Sequence, residues 1–436
     1  MTVTAAPTTP APAGLGWRLG ALYGPAIYGV SAAAVALPAA AAGLHATPSA
    51  AVWILTIHAL GLGIGAAVAG RSTDTWGPRR VLTLGAALLA AGTILCATAS
   101  ALLVAVAGRA MIAAGSGTMT ATALTLATNQ PGPQRPIVLA RLGAMMALYS
   151  ATAPLAGALV TAASWRATLV LPALSLVALP LCWPLTRRRR VAGRVDGVGA
   201  ALLVLVAVGL LLTIQSATLH IPQPAVIALL AGTCALGILL IVHSRRHPAG
   251  FLPAAVVGSR RFYLAGLVGA GVYGGLFACV YAVPQMLTRL GYSAQDVGLL
   301  LLPGAVAAAL MARLAATAIR TLPPQRVLAG AAALFSATVL LAAVNQRPAV
   351  LACAATAGFA AFAIAQMTLT AAISAHTAPP ARAGAVGLLN LIFFIGGALG
   401  PAGCAALWHP LGLPTALVAT AALPAIAAAV AWRCRL

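Results

Sequence analysis

Polar positions divide this chain into long apolar runs instead of alternating with apolar residues along it. Charges, prolines and short polar clusters separate runs that are each near the ~20 residues an α-helix needs to cross a bilayer. This pattern predicts fourteen transmembrane helices. The predicted segments are 17–43, 52–70, 81–98, 101–126, 137–162, 167–186, 197–217, 223–243, 262–287, 297–319, 326–343, 349–374, 383–407 and 414–432.

Composition excludes a soluble protein. The 436 residues are 62% hydrophobic and 6% charged, whereas soluble domains carry about 25% charge. The net charge of +22 would suggest nucleic-acid binding in a soluble protein, but here the arginines lie between apolar runs, so no nucleic-acid partner is expected. The seven cysteines are scattered without a metal-ligand spacing, so we expect neither a metal, a cofactor nor a disulfide framework.

The arginines orient the predicted helices. With the N-terminus in the cytoplasm, twenty-one of the 25 basic residues fall on the cytoplasmic side, Arg166, Arg289 and Arg347 fall outside, and Arg109 lies within a helix. This positive-inside bias predicts an even number of helices with both termini in the cytoplasm. The Ala-rich, Lys-free composition points to a bacterial plasma membrane.

Two pairs of similar stretches indicate an internal repeat. GPRRVLTLGAALL from Gly77 resembles PPQRVLAGAAALF from Pro323, and RLGAMMAL from Arg141 resembles RAGAVGLL from Arg382. Two copies of a six-helix bundle with an inserted helix pair fit both spacings. We therefore predict a disordered cytoplasmic N-terminus over 1–16, a first bundle over 17–186, the inserted pair with basic loops over 187–261, and a second bundle over 262–436.

The stretch AGRSTDTWGPRRVL holds one of only three acidic residues, the others being Asp196 and Asp296. It resembles the loop signature of the major facilitator superfamily, in which a Gly, an Asp, a second Gly and a basic pair recur at this spacing. The arrangement of six, two and six helices resembles the fourteen-helix drug:proton antiporter branch of that superfamily. The fold expected from this resemblance is the all-α major-facilitator fold. The residues that match the signature, or lie within it, are Gly70, Arg71, Asp74, Gly77, Arg79 and Arg80.

The resemblance implies that this segment is a cytoplasmic gating loop, a latch that holds the substrate cavity shut on that side. The alternative is a basic loop that only sets topology, which explains the arginines and leaves Asp74 unexplained. Pro154 and Gly157 match the branch's motif in the fifth helix. The branch usually has an Asp in the first helix, and this chain has Gly29 at that position.

Two residues are candidates for proton coupling. Arg109 is the one charge deep within a predicted helix, and a buried charge in a membrane is by default functional. His58 is the one histidine well within a span, and histidine titrates near neutrality. The alternative for each is a structural role. We expect Asp196, at the inner end of the seventh helix, to be structural, and Asp296 to be an exposed cap.

Uncharged polar and aromatic residues within the spans are the candidates for the lining of a substrate cavity. Each of them has the alternative of bonding or anchoring neighbouring helices. With aromatic faces, an arginine and no acid, such a cavity suits neutral or anionic amphiphiles better than organic cations. The selected residues are Tyr28, Tyr149, Tyr281, Gln285 and Asn390, and Tyr149 and Asn390 occupy equivalent places in the two repeats.

These expectations combine into a secondary transporter. The first hypothesis is a monomeric, proton-linked exporter of a small hydrophobic or antibiotic-like molecule, with that substrate, protons and lipid as its partners. The second is an uncoupled facilitator or an importer of a small metabolite with the same fold. A membrane enzyme is disfavoured because the chain lacks a nucleophile–base pair, a metal cluster and a phosphate-binding loop.

Overall fold

The structure confirms the all-helical class. The computed structural model describes residues 14–128, 130, 134–186, 196–216, 219, 221–247, 250–251, 258–318, 322–377 and 379–433, and the regular structure in these ranges is helical. Of the N-terminal segment expected to be disordered, residues 1–13 lie outside the described residues, whereas Leu15 and Gly16 already belong to the first helix. The basic stretch 187–195 also lies outside them.

Each predicted apolar segment corresponds to one helical segment, and we number these segments in chain order. α1 is interrupted at Gly24, and α6 is a series of short helical pieces. The segments are α1 Leu15–Gly43, α2 Trp53–Trp76, α3 Pro78–Ala97, α4 Leu102–Thr128, α5 Gln134–Ala163, α6 165–185, α7 Gly197–Ile214, α8 Gln223–Arg246, α9 Arg260–Arg289, α10 Ala294–Ala318, α11 Pro324–Val344, α12 Pro348–His376, α13 Pro379–Leu411 and α14 Leu413–Arg433.

Most of these segments are long and apolar enough to cross a membrane. By length and hydropathy the described residues contain eleven spanning helices, or twelve if the bent halves of α5 form one span. The segments outside the count of eleven are α5, α6 and α10. α5 bends by 44° between its halves Arg141–Ser150 and Thr152–Ala163, and Pro154 inside it lacks the amide hydrogen that a straight helix would use.

The helix boundaries differ most at the predicted gating loop. We expected α2 to end near residue 70, but it continues to Trp76 and leaves Gly77 as the whole connection to α3. Nothing between Gly70 and Trp76 breaks the backbone pattern, and Thr73 Oγ1 donates to the Ala69 carbonyl at 2.7 Å. Gly77 ends the helix because its backbone, with φ of 80° and ψ of 153°, is one that glycine adopts readily.

The contacts between helices are related in pairs across the chain. In the first half α1 packs on α5 and α2 on α4; in the second half α9 packs on α13 and α10 on α12. Between the halves, α2 packs on α13 and α10 packs on α5. If each of the first six helices is exchanged with the corresponding one of the last six, every contact in this set becomes another contact in the set. This is the arrangement that a two-fold relation between the two predicted repeats would give.

A second correspondence supports the repeat. Arg79 at the start of α3 places its guanidinium 4.6 Å from the ring centre of Trp183, at the end of α6. Arg326 at the start of α11 lies 5.9 Å from the ring of Trp432, at the end of α14. Each half therefore joins its third helix to its sixth by an arginine over an indole, an attraction that proteins use at exposed and buried sites alike.

Glycine allows the helices of both halves to approach closely. A Cβ at Gly65 on α2 would overlap the backbone of Ala114 on α4, and a Cβ at Gly400 on α13 would overlap the backbone of Gly274 on α9. Lipid tails are as apolar as the surfaces of these helices, so the hydrophobic effect does not drive the helices together within a bilayer. Close van der Waals packing of small residues stabilises such bundles instead.

We expect Gly77→Ala to destabilise the protein by about 1–3 kcal/mol, because alanine is strained in the backbone conformation of this connection. Thermal unfolding of the purified protein in detergent measures the loss. Gly330→Ala is the matched control, since Gly330 lies in α11 and a Cβ there would have no neighbour within 4 Å. Equal melting temperatures for the two variants would contradict the strain argument.

Candidate functional site

A fully buried charge lies at the centre of the first half. Arg109 on α4 has 0% exposure, and its guanidinium donates to three backbone carbonyls on three other helices. Nη1 reaches Leu169 O of α6 at 2.8 Å, Nε reaches Ile54 O of α2 at 3.3 Å, and Nη2 donates to Gly29 O of α1. A buried cation is tolerated only when polar atoms replace its hydration. Arg109 therefore joins four helices through its own charge.

His58 lies beside this arginine site. The imidazole has 0% exposure, and neither ring nitrogen has a hydrogen-bond partner among the described residues. A Cβ on Gly29 would overlap the ring, with Nε2 as the nearest atom. Gly29 thus serves both side chains: its carbonyl accepts from Arg109, and its missing side chain leaves the space that His58 fills. The structure brings the two predicted coupling residues to one glycine.

This arrangement concerns Gly29, which stands in α1 where the resembled transporters usually have an Asp. The resemblance implies a carboxylate at position 29, and the described structure has an imidazole in the space that such a side chain would enter. An imidazole is the side chain that changes its charge nearest to neutral pH. The described structure thus has an ionisable imidazole beside Arg109, at the position where the resemblance implies an acid.

The predicted gating loop is helical on both sides of Gly77. Gly70 and Arg71 lie in the last turns of α2, and Asp74 lies in its final turn with a side chain outside the described residues. Arg79 stacks on Trp183, and Arg80 is exposed. Arg71 donates from Nη2 to the carbonyl of Gly250, which lies beyond the end of α8. The residues of the signature therefore extend over two helices and contact the inserted pair.

The Pro154–Gly157 motif of α5 lies against α1. Gly157 faces Ala32, whose carbonyl oxygen would be 2.7 Å from a Cβ on Gly157, so only glycine permits this approach. Two of the predicted cavity residues meet one turn away. The rings of Tyr28 and Tyr149 are 5.2 Å apart in an edge-on arrangement, and Tyr28 OH lies 2.8 Å from Thr152 Oγ1.

The second half contains a network of polar side chains. Asn390 Oδ1 on α13 accepts from Gln366 Nε2 on α12 at 3.0 Å, and Gln366 Oε1 accepts from Tyr273 OH on α9. Tyr149 and Asn390 occupy equivalent places in the two predicted repeats, and the structure gives each a partner within its own half. The pairing of Gln366 with Tyr273 was not predictable from spacing.

The last two predicted cavity residues lie on α9. Tyr281 is buried, and its hydroxyl has no hydrogen-bond partner among the described residues. Its ring lies 6.1 Å from that of Trp408, which Arg289 covers at 4.5 Å. Gln285 is buried one turn further along. These residues lie toward the end of α9 that is opposite to the gating loop.

The site residues that the sequence did not indicate connect the gating loop to other elements. Gly250 and Trp183 receive Arg71 and Arg79, and both lie next to breaks in regular structure. The signal available in the sequence was limited to Trp183 after an apolar run and to a Pro/Gly-containing stretch after α8. Neither feature predicts which residue would contact Arg71 or Arg79.

Comparison with known proteins is consistent with this geometry. A sequence model of the Major Facilitator Superfamily matches residues 19–401. The chain is 30% identical over 303 residues to the cephamycin export protein CmcT of Amycolatopsis lactamdurans, covering 64% of this chain and 60% of that protein. It is 28% identical over 266 residues to the MFS-type transporter ungB of Aspergillus violaceofuscus, covering 56% of this chain and 48% of that protein.

Two further similarities concern a shorter stretch and the fold. Over 136 residues the chain is 34% identical to the uncharacterized MFS-type transporter EfpA of Mycobacterium tuberculosis, covering 31% of this chain and 26% of that protein. The chain thus spans less than two thirds of the length of each of these relatives. A crystal structure of a bacterial homologue of the human lysosomal transporter Spinster, inward-facing and unoccupied, superposes with a TM-score of 0.65 over 97% of both chains at 15% identity, which supports the fold alone.

We expect Gly29→Ala to destabilise the protein by about 1–3 kcal/mol, because the added methyl group overpacks the site against His58. His58→Ala in the same chain should relieve that overlap, so that the two changes are non-additive by about 0.5–3 kcal/mol. Thermal unfolding of the two single variants and the double variant measures this coupling. Gly237→Ala is the control, since a Cβ there would have no neighbour within 4 Å. Additive effects would contradict the packing.

Proposed function

Because this chain belongs to the Major Facilitator Superfamily, we propose that it is a proton-linked exporter of a small hydrophobic or antibiotic-like molecule. The family and the fold are those of a secondary transporter, not an enzyme. We place it in the fourteen-helix drug:proton antiporter branch, with a first bundle over 17–186, an inserted pair over 187–261 and a second bundle over 262–436. We propose that it works as a monomer in a bacterial plasma membrane, with both termini in the cytoplasm.

The observation that carries the proton coupling is the cluster of Gly29, His58 and Arg109. Arg109 is a permanent charge, because its guanidinium stays protonated at every physiological pH. Protonation of His58 would place a second positive charge beside Gly29, whose carbonyl accepts from Arg109, and like charges repel by about 4 kcal/mol at a separation of about 4 Å in a partly hydrated site. The packed arrangement described here therefore suits a neutral imidazole.

Alternating access follows from that repulsion. A proton entering the site favours an arrangement in which α1, α2 and α4 separate Arg109 from His58 and open the site to one side. Loss of the proton to the other side favours the packed arrangement again. Each cycle can then exchange protons for substrate without a carboxylate in the membrane, provided that substrate binds the two arrangements differently.

The substrate class rests on the polar side chains of the two halves and on the relatives. Tyr28 and Tyr149 offer aromatic and hydroxyl groups in the first half, and the amides of Gln366 and Asn390 lie in the second. No acidic residue occurs in the spans of this sequence away from the helix ends. Such a lining favours neutral or anionic amphiphiles, and the name of CmcT, a cephamycin export protein, favours an antibiotic-like molecule.

The second candidate function is an uncoupled facilitator or an importer of a small metabolite. It is favoured by Gly29, which stands where the resembled antiporters have an acid. Reconstitution into liposomes with an imposed pH gradient separates the two, with a panel of neutral, anionic and cationic compounds. Proton movement elicited by a compound would establish antiport. Flux of a compound without proton movement would establish the facilitator.

We expect His58→Phe to abolish pH-gradient-dependent uptake in inverted vesicles, because phenylalanine keeps a ring in the site and cannot bind a proton. The control is His376→Phe, because His376 is exposed at the end of α12. Both variants should be present in the membrane at the level of the unaltered protein. Gradient-dependent uptake that persists in the His58 variant would exclude this histidine as the proton carrier.

We expect Asp74→Asn to slow transport by about tenfold or more, since a charge-assisted contact at the gate contributes about 1.5–3 kcal/mol. Expression should be retained, because the amide has the size of the carboxylate. Asp296→Asn is the matched control: Asp296 is an exposed cap that accepts from Ser293 N and Oγ at 2.9 and 2.6 Å. Normal transport rates in the Asp74 variant, measured beside that control, would show that the segment around Asp74 only sets the topology.

A further inference from the structure

Within the described parts of the chain, the predicted inserted pair α7 and α8 makes few contacts with the other helices. The two helices pack on each other, and α7 also contacts α2 and α13. Much of α8 is exposed, including the large apolar residues Ile227, Ile238 and Leu239. A helix pair with so little packing against the bundle can be held in place only by specific contacts. Those contacts occur at both ends of α7.

At the first end, Asp196 is the centre of a cluster. Its carboxylate caps α7 by accepting from Gly199 N at 2.9 Å. It also accepts from Phe251 N at 2.9 Å, and both of its oxygens lie within 3.0 Å of His243 Nε2, in the last turn of α8. Three separate parts of the inserted pair therefore converge on one carboxylate.

Among the described residues, α8 supplies titratable and charged groups near this carboxylate. His247 stacks on His243 with ring centres 4.3 Å apart, and Arg245 and Arg246 on the same helix are exposed. Burial alone raises the pKa of Asp196, but the amide hydrogens of Phe251 and Gly199 and the imidazole of His243 outweigh it and lower the pKa below its ordinary value. The group is thus a carboxylate at neutral pH and accepts every one of these bonds.

The cluster holds the turn that reaches the gating segment. The Phe251 side chain is buried, and a Cβ on Gly250 would lie 2.6 Å from Asp196 Oδ2, so this turn lies tightly against the carboxylate. The Gly250 carbonyl then accepts from Arg71 on α2. On its other side Arg71 packs against Gly384 of α13, where a Cβ would lie 2.8 Å from Arg71 Cδ.

At the second end, the pair is attached to the opposite part of the same helix. Gln215, which caps the C-terminus of α7, is buried and donates from Nε2 to Thr56 Oγ1 on α2 at 2.8 Å. Thr56 and Arg71 are 15 residues apart, or about 22 Å along a helix. α7 has 18 residues and a length of about 27 Å. The pair therefore runs beside α2 and contacts it near both ends.

We propose that the inserted pair is a brace for the gate helix α2, and that Asp196 is the positioning residue of its gate-side attachment. Asp196 and His243 hold Gly250 and Phe251 so that the Gly250 carbonyl meets Arg71 where α2 and α13 close. The proposal rests on the gating role given above to the segment around Arg71 and Asp74. Loss of the attachment should leave α2 in place at Thr56 and loosen its other end.

The test measures how accessible the proposed gate is to a reagent in solution. Ser72 lies beside Arg71 and is buried, so Ser72→Cys reports opening through its rate of alkylation by N-ethylmaleimide. Site-resolved mass spectrometry of inverted vesicles reads that cysteine separately from the native ones. We expect Asp196→Ala and His243→Leu to raise its alkylation rate by about tenfold, as the loss of a charge-assisted hydrogen bond allows. His243→Gln, which keeps a donor near the position of Nε2, should restore the slow rate.

The control is Asp296→Ala, which removes a carboxylate cap from α10 without touching the gate. It should leave the alkylation rate at position 72 unchanged. His243→Leu keeps both amide bonds to Asp196, so it tests the brace even if Asp196→Ala fails to fold. Slow alkylation in folded His243→Leu, or equally fast alkylation in His243→Gln, would overturn the proposal. Alkylation does not depend on proton coupling, so a facilitator without coupling would still show the expected pattern.

Discussion

The structure of the first half depends on the burial of one charge. Arg109 has no carboxylate partner among the described residues, and three backbone carbonyls from α1, α2 and α6 replace its hydration. Breaking any of these contacts would expose a cation to an apolar interior, which costs several kcal/mol. The relative positions of four helices are thus tied to one guanidinium. That dependence also makes the site sensitive to a second charge, the one that protonated His58 would bring.

The sequence predicted the fold well and the site only in part. The apolar runs located the helical segments because hydrophobic length is the dominant constraint in a bilayer. The ends of helices were less predictable: α2 continues past Gly70 to Trp76 because a helix satisfies its own backbone bonds beyond the membrane surface. Arg109 and His58 stood out as polar residues in apolar runs. Their meeting at Gly29 depends on how three helices pack, which no spacing along one helix encodes.

The three acidic residues share a location at helix ends. Asp196 caps α7, Asp296 caps α10 through Ser293, and Asp74 lies in the final turn of α2. A carboxylate at a helix N-terminus is stabilised by the helix dipole and by free amide hydrogens. Arg109 and His58 are the basic side chains placed deep within the predicted spans. For the proposed proton coupling, the candidate carrier is therefore a base that is neutral when unprotonated, and His58 is such a side chain.

The proposed coupling site and the proposed gate have residues on the same helix, and this simplifies the proposed mechanism. α2 carries Thr56 and His58 near one end and Arg71 and Asp74 near the other. A rigid helix transmits a rotation or shift over its whole length. In the proposed mechanism, a proton that repels His58 from Arg109 would therefore also move Arg71 relative to Gly250 and Gly384. Gln215 holds α2 at Thr56, two residues from His58. In the proposed mechanism this contact limits the movement there, so that a small change at the buried site becomes a larger one where α2 meets α13.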